Sequence, residues 1–128
     1  MFSKLLFVFI GGGIGSVLRY GSNSILNLFL IGQLGTLFVN VFGSFVFGIL
    51  VSIGENKSEY FNLFLLTGLL GGFTTFSQFS YDVVTLQNNS NLYSIIYILS
   101  SVLISIAMAL LGIYLSLIHI SEPTRLRH

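Results

Sequence analysis

Long apolar stretches separated by short polar segments dominate this chain. Crossing the ~30 Å hydrocarbon core of a membrane takes about 20 apolar residues in a helix. Four stretches are long enough, and we place spans 1 to 4 at residues 3–30, 34–53, 60–86 and 92–118. The pattern predicts an all-α integral membrane protein with four transmembrane helices, in which residues 1–118 form one domain.

The segments between the spans are short and polar or turn-forming. They are Gly32-Gln33, residues 54–59 and residues 87–91. Connections this short predict that consecutive spans are antiparallel neighbours.

Proline and charges follow span 4. Residues 119–128 include Glu122, Pro123, Arg125 and Arg127, which we expect to end the helix at about residue 118. We interpret this polar C-terminal tail as a cloning or read-through addition and leave it out of the fold prediction.

The composition excludes several classes of function. Of the 128 residues 54% are hydrophobic and 7% are charged, whereas about a quarter of a soluble domain is charged. The chain has no Cys, which excludes disulfides and thiolate metal sites. A net charge of +1 with scattered basic residues gives no basic face for nucleic acid. Neither His119 nor His128 lies near a nucleophile or metal ligand in sequence, so we predict no enzyme.

Charge specifies the orientation in the membrane only weakly. Lys4 and Lys57 would share one side and Arg19 would lie toward the other, which leaves a bias of about one positive charge without the tail. Such a chain could insert in both orientations.

A glycine and hydroxyl cluster interrupts span 3 between Gly68 and Ser80. Gly71-Gly72 cost a helix about 1 kcal/mol each relative to Ala, and Thr74-Thr75 add β-branching. We therefore expect a break in helix 3 near the middle of the membrane. Backbone freed there needs protein, water or an ion as partner, so a break predicts an ion or substrate site. The alternative is a Gly-rich surface packed on a neighbouring helix.

Small residues in span 1 lead up to a charge. The pairs Gly11/Gly15 and Gly12/Ser16 are typical of close helix packing. Arg19 follows Gly15 by four residues, and a charge within a membrane usually faces the protein interior or a watery cavity. Arg19 is thus a candidate to draw anions into a vestibule, unless it extends to the membrane surface.

Polar residues recur every four positions in two spans, which places each set on one helix face. The sets are Thr36, Asn40 and Ser44 in span 2, and Tyr97, Ser101 and Ser105 in span 4. Such columns can line a pathway or bond helices together. Two columns in one small protein favour a pathway.

Two phenylalanines and an acid follow the glycine cluster. Phe76 and Phe79 share a helix face, and the positive edges of their rings can contact an anion, although plain packing is the alternative. Asp82 is the only acid inside a predicted span and could pair with Arg19 or carry protons.

These residues together resemble the Fluc fluoride channels, also called the CrcB family. The matching segments are 12–15 with Arg19-Tyr20, 35–40 with Gly43-Ser44, and 71–77 with Phe79. They cover spans 1 to 3 at the family's order and spacing, and Gly-Gly-Phe-Thr-Thr-Phe-Ser at 71–77 is highly specific. Span 4 matches only by its polar column, and the tail does not match.

The resemblance implies an antiparallel, dual-topology homodimer with two pores in the inner (plasma) membrane. It implies a passive, fluoride-selective channel that lets a microbial cell discharge fluoride. It also implies a structural sodium ion (Na+) that is not transported, held by the carbonyls of Gly71 and Thr74 from both subunits.

By the same resemblance, Arg19 is a vestibule residue. The residues implied for the fluoride pathway are Asn40, Phe76, Phe79, Thr36, Tyr97, Ser101 and Ser105.

Two other functions are compatible with four short spans. Small multidrug exporters resemble one another in having a membrane-buried Glu in helix 1. Span 1 of this chain has no acid. A non-conducting assembly subunit would explain the glycines but would not need two polar columns.

Overall fold

The computed structural model describes the backbone of residues 1–30 and 32–127 and the side chains of residues 1–30 and 33–118. The segments long and apolar enough to cross a membrane are Phe2–Leu26, Gln33–Gly54, Glu59–Asn89 and Asn91–Ile118. The predicted all-α protein with four spans is therefore confirmed. The helices are α1 (Phe2–Leu26), α2 (Gly32–Gly54), α3 (Glu59–Asn62), a π-helix (Leu63–Leu70), α4 (Gly71–Phe73), α5 (Phe76–Asn89) and α6 (Asn91–Arg127).

The connection between spans 1 and 2 lies earlier than predicted. Because α1 ends at Leu26 and α2 begins at Gly32, the predicted connector Gly32-Gln33 is wrong. Residues after α1 form turns instead, and the amide N of Leu28 lies 3.1 Å from the carbonyl O of Ile25. Leu28, Phe29 and Leu30 are apolar, so hydropathy alone could not separate them from the helix.

The C-terminal helix is longer than predicted. The α6 backbone is helical to Arg127, so the helix end expected at about residue 118 is wrong. A proline such as Pro123 removes one hydrogen bond and can bend a helix without ending it. The side chains of residues 119–128 lie outside the described part of the chain, and so does our interpretation of them as an added tail.

Glycines decide which spans pack most closely. Gly11 and Gly15 of α1 lie so near the backbone of Phe64 and Leu69 that a Cβ atom at either glycine would overlap a carbonyl group. α1 consequently packs mainly on the π-helix and α4 of span 3. The predicted packing role of Gly11 and Gly15 is confirmed.

Spans 2 and 4 pack in the same way. Gly48 of α2 lies against the carbonyl of Ala109, and Gly112 of α6 lies against the carbonyl of Phe45. Alternate spans run in the same direction, so the closest packing is parallel and not between the consecutive, antiparallel spans that we predicted. Consecutive spans also touch, but the glycines permit a closer approach between alternate ones.

The backbone of span 3 is irregular. The π-helix Leu63–Leu70 precedes the single turn of α4. Thr74 (φ −84°, ψ 156°) and Thr75 (φ −148°, ψ 122°) are extended, and α5 begins at Phe76. π-Helices are rare and frequently lie at functional sites.

One end of the bundle carries an ion pair. The Nζ of Lys4 lies 3.0 Å from Oε2 of Glu59, which places the start of α1 beside the start of span 3. Lys57 lies in the adjoining connector, in agreement with the prediction that Lys4 and Lys57 share one side. Because this pair is exposed, it adds little stability.

We expect Gly15→Ala to destabilise the protein and Gly13→Ala to leave it intact. A Cβ at position 15 would overlap the carbonyl of Leu69, whereas a Cβ at position 13 meets no atom within 4 Å. Overpacking of this kind costs about 1–3 kcal/mol. The measurement is the midpoint of thermal unfolding in detergent; equal midpoints for the two variants would contradict the packing role of Gly15.

Candidate functional site

Asn40 of α2 holds the extended backbone of span 3 at two points. Its Nδ2 donates to the carbonyl O of Thr75 at 3.0 Å, and the amide N of Thr75 donates to Asn40 Oδ1 at 2.8 Å. A backbone N–H can only donate and a carbonyl can only accept, so this pair fixes the orientation of the Asn40 amide. One of the two Nδ2 hydrogens is left for another partner.

Thr75 begins the helix that follows the extended residues. Its Oγ1 accepts a hydrogen bond from the amide N of Gln78 at 3.1 Å, which makes Thr75 the N-cap of α5. Thr75 was not among the predicted site residues. The signal was present, because Thr-x-x-Gln is a helix-start pattern.

The carbonyls of Gly71 and Thr74 lose their usual helical donors. In a continuous α-helix the amides of Thr75 and Gln78 would donate to these two carbonyls. The Thr75 amide donates instead to Asn40 and the Gln78 amide to the Thr75 hydroxyl. Gly71 and Thr74 both line a pocket of about 190 Å³ that also includes Gly43, Ser44, Phe47, Leu66, Leu70 and Ala109.

A groove of about 300 Å³ runs beside the extended residues. Ser101 lines the groove, is only 6% exposed, and has an Oγ with no hydrogen-bond partner within the described part of the chain. Phe76, by contrast, is 77% exposed. The groove is lined by Asn40, Ser44, Thr74, Thr75, Phe76, Phe79, Ser101, Val102, Ser105 and Ile106.

The structure thus brings most of the predicted pathway residues to one place. Ser44 and Ser105 lie on α2 and α6, which pack side by side, so the two polar columns meet across the groove. Ser44 also borders the pocket of Gly71 and Thr74. The groove and the pocket are therefore adjacent.

Thr36 and Tyr97 lie outside the groove. The hydroxyl of Tyr97 donates to Oδ2 of Asp82 at 3.1 Å, and its ring centroid lies 5.3 Å from that of Phe79. Phe79 in turn lies 5.5 Å from Phe76. Tyr97 therefore contacts the groove through the ring of Phe79, which lines it.

A third cavity, which we call the vestibule, measures about 260 Å³. Half-buried Arg19 borders it and donates from Nε to the carbonyl O of Gly72 at 3.0 Å. The Oδ1 of Asn23, on the next turn of α1, is buried without a hydrogen-bond partner in the described residues. The lining comprises Arg19, Tyr20, Asn23, Ser24, Asn27, Thr36, Gln78 and Asp82.

Asp82 is buried, with 5% of its surface exposed. Its carboxylate accepts hydrogen bonds from Gln78 Nε2 at 3.0 Å and from Tyr97. Asp82 and Arg19 border the same vestibule, but the hydrogen bonds described for each go to other partners. The carboxylate thus joins α5 to α6 and does not form the ion pair with Arg19 that the sequence suggested.

Comparison with known proteins gives the family. Residues 6–113 match the family model described as CrcB-like protein, Camphor Resistance (CrcB).

Three curated relatives bear the name Fluoride-specific ion channel FluC. The protein of Gloeothece citriformis is 42% identical over 118 residues, which are 88% of this chain and 95% of the relative. That of Campylobacter jejuni is 44% identical over 117 residues, or 88% and 96% of the two chains. That of Cereibacter sphaeroides is 48% identical over 89 residues, or 67% and 71%. These names describe channels and not enzymes, and the chain belongs to the CrcB family of multi-pass membrane proteins.

Proposed function

We propose that this chain is a fluoride-specific ion channel that conducts passively across the inner membrane and lowers the toxic concentration of fluoride in the cell. The observation that carries the proposal is the groove beside the extended part of span 3, which is lined by Ser101, whose buried Oγ has no hydrogen-bond partner among the described residues. The relatives named as fluoride-specific channels support it.

A fluoride pathway must replace the strong hydration of a small anion while leaving the ion mobile. Ser101 and Ser105 offer hydroxyl donors on α6, and the remaining amide hydrogen of Asn40 offers one on α2. These donors are neutral. They hydrogen-bond an anion without supplying a full positive charge that would trap it.

The phenylalanine rings complete the groove. Phe76 and Phe79 line the groove, and the edge of an aromatic ring carries partial positive charge that suits an anion. Tyr97 gives its hydroxyl hydrogen to Asp82, so it takes part through its ring, which packs on Phe79.

The vestibule serves as the entrance to the pathway. Arg19 uses one of its five N–H donors on Gly72, and the others remain to attract an anion. Asp82 borders the same cavity and offsets part of this charge, and Thr36 supplies a hydroxyl-bearing side chain to its wall.

We further propose that two copies assemble as an antiparallel, dual-topology homodimer with two pores. An open groove with polar atoms cannot face lipid at membrane depth, because nothing there replaces water as a hydrogen-bond partner. A second copy of the chain would cover the groove. Weak charge bias between the two sides of the membrane permits insertion both ways.

The extended residues of span 3 correspond in this proposal to the family's helix break, which holds a structural sodium ion. The carbonyls of Gly71 and Thr74 fit such an ion, because their helical donors are engaged elsewhere and carbonyls are hard oxygen ligands. Two carbonyls from each copy would give four oxygens around a two-fold axis. A bound cation there would supply positive charge close to the anion pathway.

Liposomes that contain the protein should release fluoride down its gradient without ATP or an imposed proton gradient. A fluoride electrode measures the efflux, with a potassium ionophore present to balance charge. The matched sample contains chloride in place of fluoride. Comparable chloride efflux, or a requirement for a proton gradient as expected of an exporter, would contradict the proposal; no efflux of either ion would favour a non-conducting subunit.

Ser101→Ala should slow fluoride efflux by about 10- to 100-fold, since a hydrogen bond to a charged group contributes about 1.5–3 kcal/mol. Ser100→Ala is the matched control, because Ser100 is the neighbouring serine on α6 and is not part of the groove. Equal efflux from the two variants in the liposome assay would show that the pathway does not pass Ser101.

Phe79→Ile should also reduce fluoride efflux, because it keeps an apolar side chain and removes the positive ring edge. Phe7→Ile is the control, since Phe7 packs on Tyr60 away from the groove. Normal efflux from well-folded Phe79→Ile protein would mean that the ring contributes packing alone.

A further inference from the structure

We propose that Asn40 and Thr75 are positioning residues for the cation site. They capture the two amide hydrogens that a continuous helix would give to Gly71 and Thr74, and so leave those carbonyls available to a cation. This inference rests on the proposed function, because the cation is part of it.

The Asn40 contact prevents span 3 from closing into a regular helix. Two hydrogen bonds of 2.8 and 3.0 Å join its amide to the N–H and C=O of Thr75. For the Thr75 amide to return to Gly71, both bonds would have to break. Asn40 is anchored in α2, a separate helix, so it fixes Thr75 relative to a second element of the fold.

Thr75 acts on the second carbonyl through its own side chain. Its Oγ1 accepts the Gln78 amide at 3.1 Å, which is the hydrogen that would otherwise reach Thr74. The extended dihedrals of Thr75 place it outside both α4 and α5, as an N-cap requires.

Three carbonyls near these two already have hydrogen-bond donors. The carbonyl of Leu70 accepts the amide and the hydroxyl of Thr74, each at 3.0 Å. That of Gly72 accepts Arg19, and that of Thr75 accepts Asn40. Gly71 and Thr74 differ from these neighbours, because the amides that a helix would give them are held by Asn40 and by the Thr75 hydroxyl.

The approach of α2 depends on one small residue. A Cβ at Gly43 would overlap Cγ2 of Thr74, so a larger residue there would separate α2 from the extended segment. With Gly43 in place, Asn40 one turn earlier reaches Thr75. Asn40 also lines the groove, so one side chain links the anion pathway to the cation site.

The test is the sodium dependence of thermal unfolding in the purified full chain. The unfolding midpoint is measured over a sodium series at constant ionic strength, with N-methylglucamine as the replacement cation. The quantity compared between variants is the sodium concentration that gives half of the full stabilisation. It reports on the cation site without requiring ion flux.

Thr75→Val keeps the shape of the side chain and removes the Oγ1 acceptor, so the Gln78 amide loses the partner that holds it away from Thr74. Thr75→Val and Asn40→Ala should each raise the half-effect sodium concentration by about tenfold or more, the equivalent of roughly one net hydrogen bond. Thr75→Ser retains the hydroxyl and should stay near the wild-type value, as should Ser100→Ala.

The outcomes separate this inference from the proposed function. If the unfolding midpoint of the wild-type chain does not change with sodium concentration, the cation site and this inference are both wrong. Fluoride conduction is tested separately by the efflux assay. A sodium-dependent wild type with unchanged half-effect concentrations in Thr75→Val and Asn40→Ala would overturn the positioning role alone. If Asn40→Ala does not fold, the comparison of Thr75→Val with Thr75→Ser decides.

Discussion

Two extended residues at membrane depth set the constraint on which this structure depends. Each backbone polar group left unpaired in hydrocarbon costs several kcal/mol. The N–H and C=O of Thr75 are paired by Asn40, the carbonyl of Gly72 is paired by Arg19, and the Thr75 hydroxyl caps the next helix. The extended backbone at Thr74 and Thr75 is stabilised because α1 and α2 supply its hydrogen-bond partners. In the proposed cation site, the ligands are the carbonyls of Gly71 and Thr74, whose helical donors these partners hold elsewhere.

The glycine contacts make this arrangement possible. Gly15 brings α1 against span 3, one turn before Arg19 reaches the Gly72 carbonyl. Gly43 lets α2 approach Thr74, one turn after Asn40 reaches Thr75. Packing and polar pairing are therefore coupled, because each polar partner stands one helical turn from a glycine. Glycines also bring α2 against α6, and residues of both helices line the groove that carries the proposed pathway.

Hydropathy and spacing predicted the parts of the molecule that depend on local composition. The four spans follow from apolar length. The i, i+4 spacing assigned Asn40 and Ser101 to two polar columns, and both residues line one groove in the structure. Sequence spacing could not show that Asn40 bonds to Thr75, since the two are 35 positions apart. Sequence spacing also could not show that alternate spans pack most closely. Short connectors favour packing between consecutive spans, whereas the glycine contacts join span 1 to span 3 and span 2 to span 4. Asp82 illustrates the same limit: its partner Tyr97 lies on another helix.

Electrical recording across a planar bilayer tests the central claim most directly. With fluoride on one side and chloride on the other, the account predicts a current whose reversal potential follows the fluoride gradient. The donors around the groove are neutral, so this selectivity must come from how they replace fluoride's hydration shell. A reversal potential that follows the chloride gradient, or a membrane that passes neither ion, would contradict the assignment of this chain as a fluoride channel.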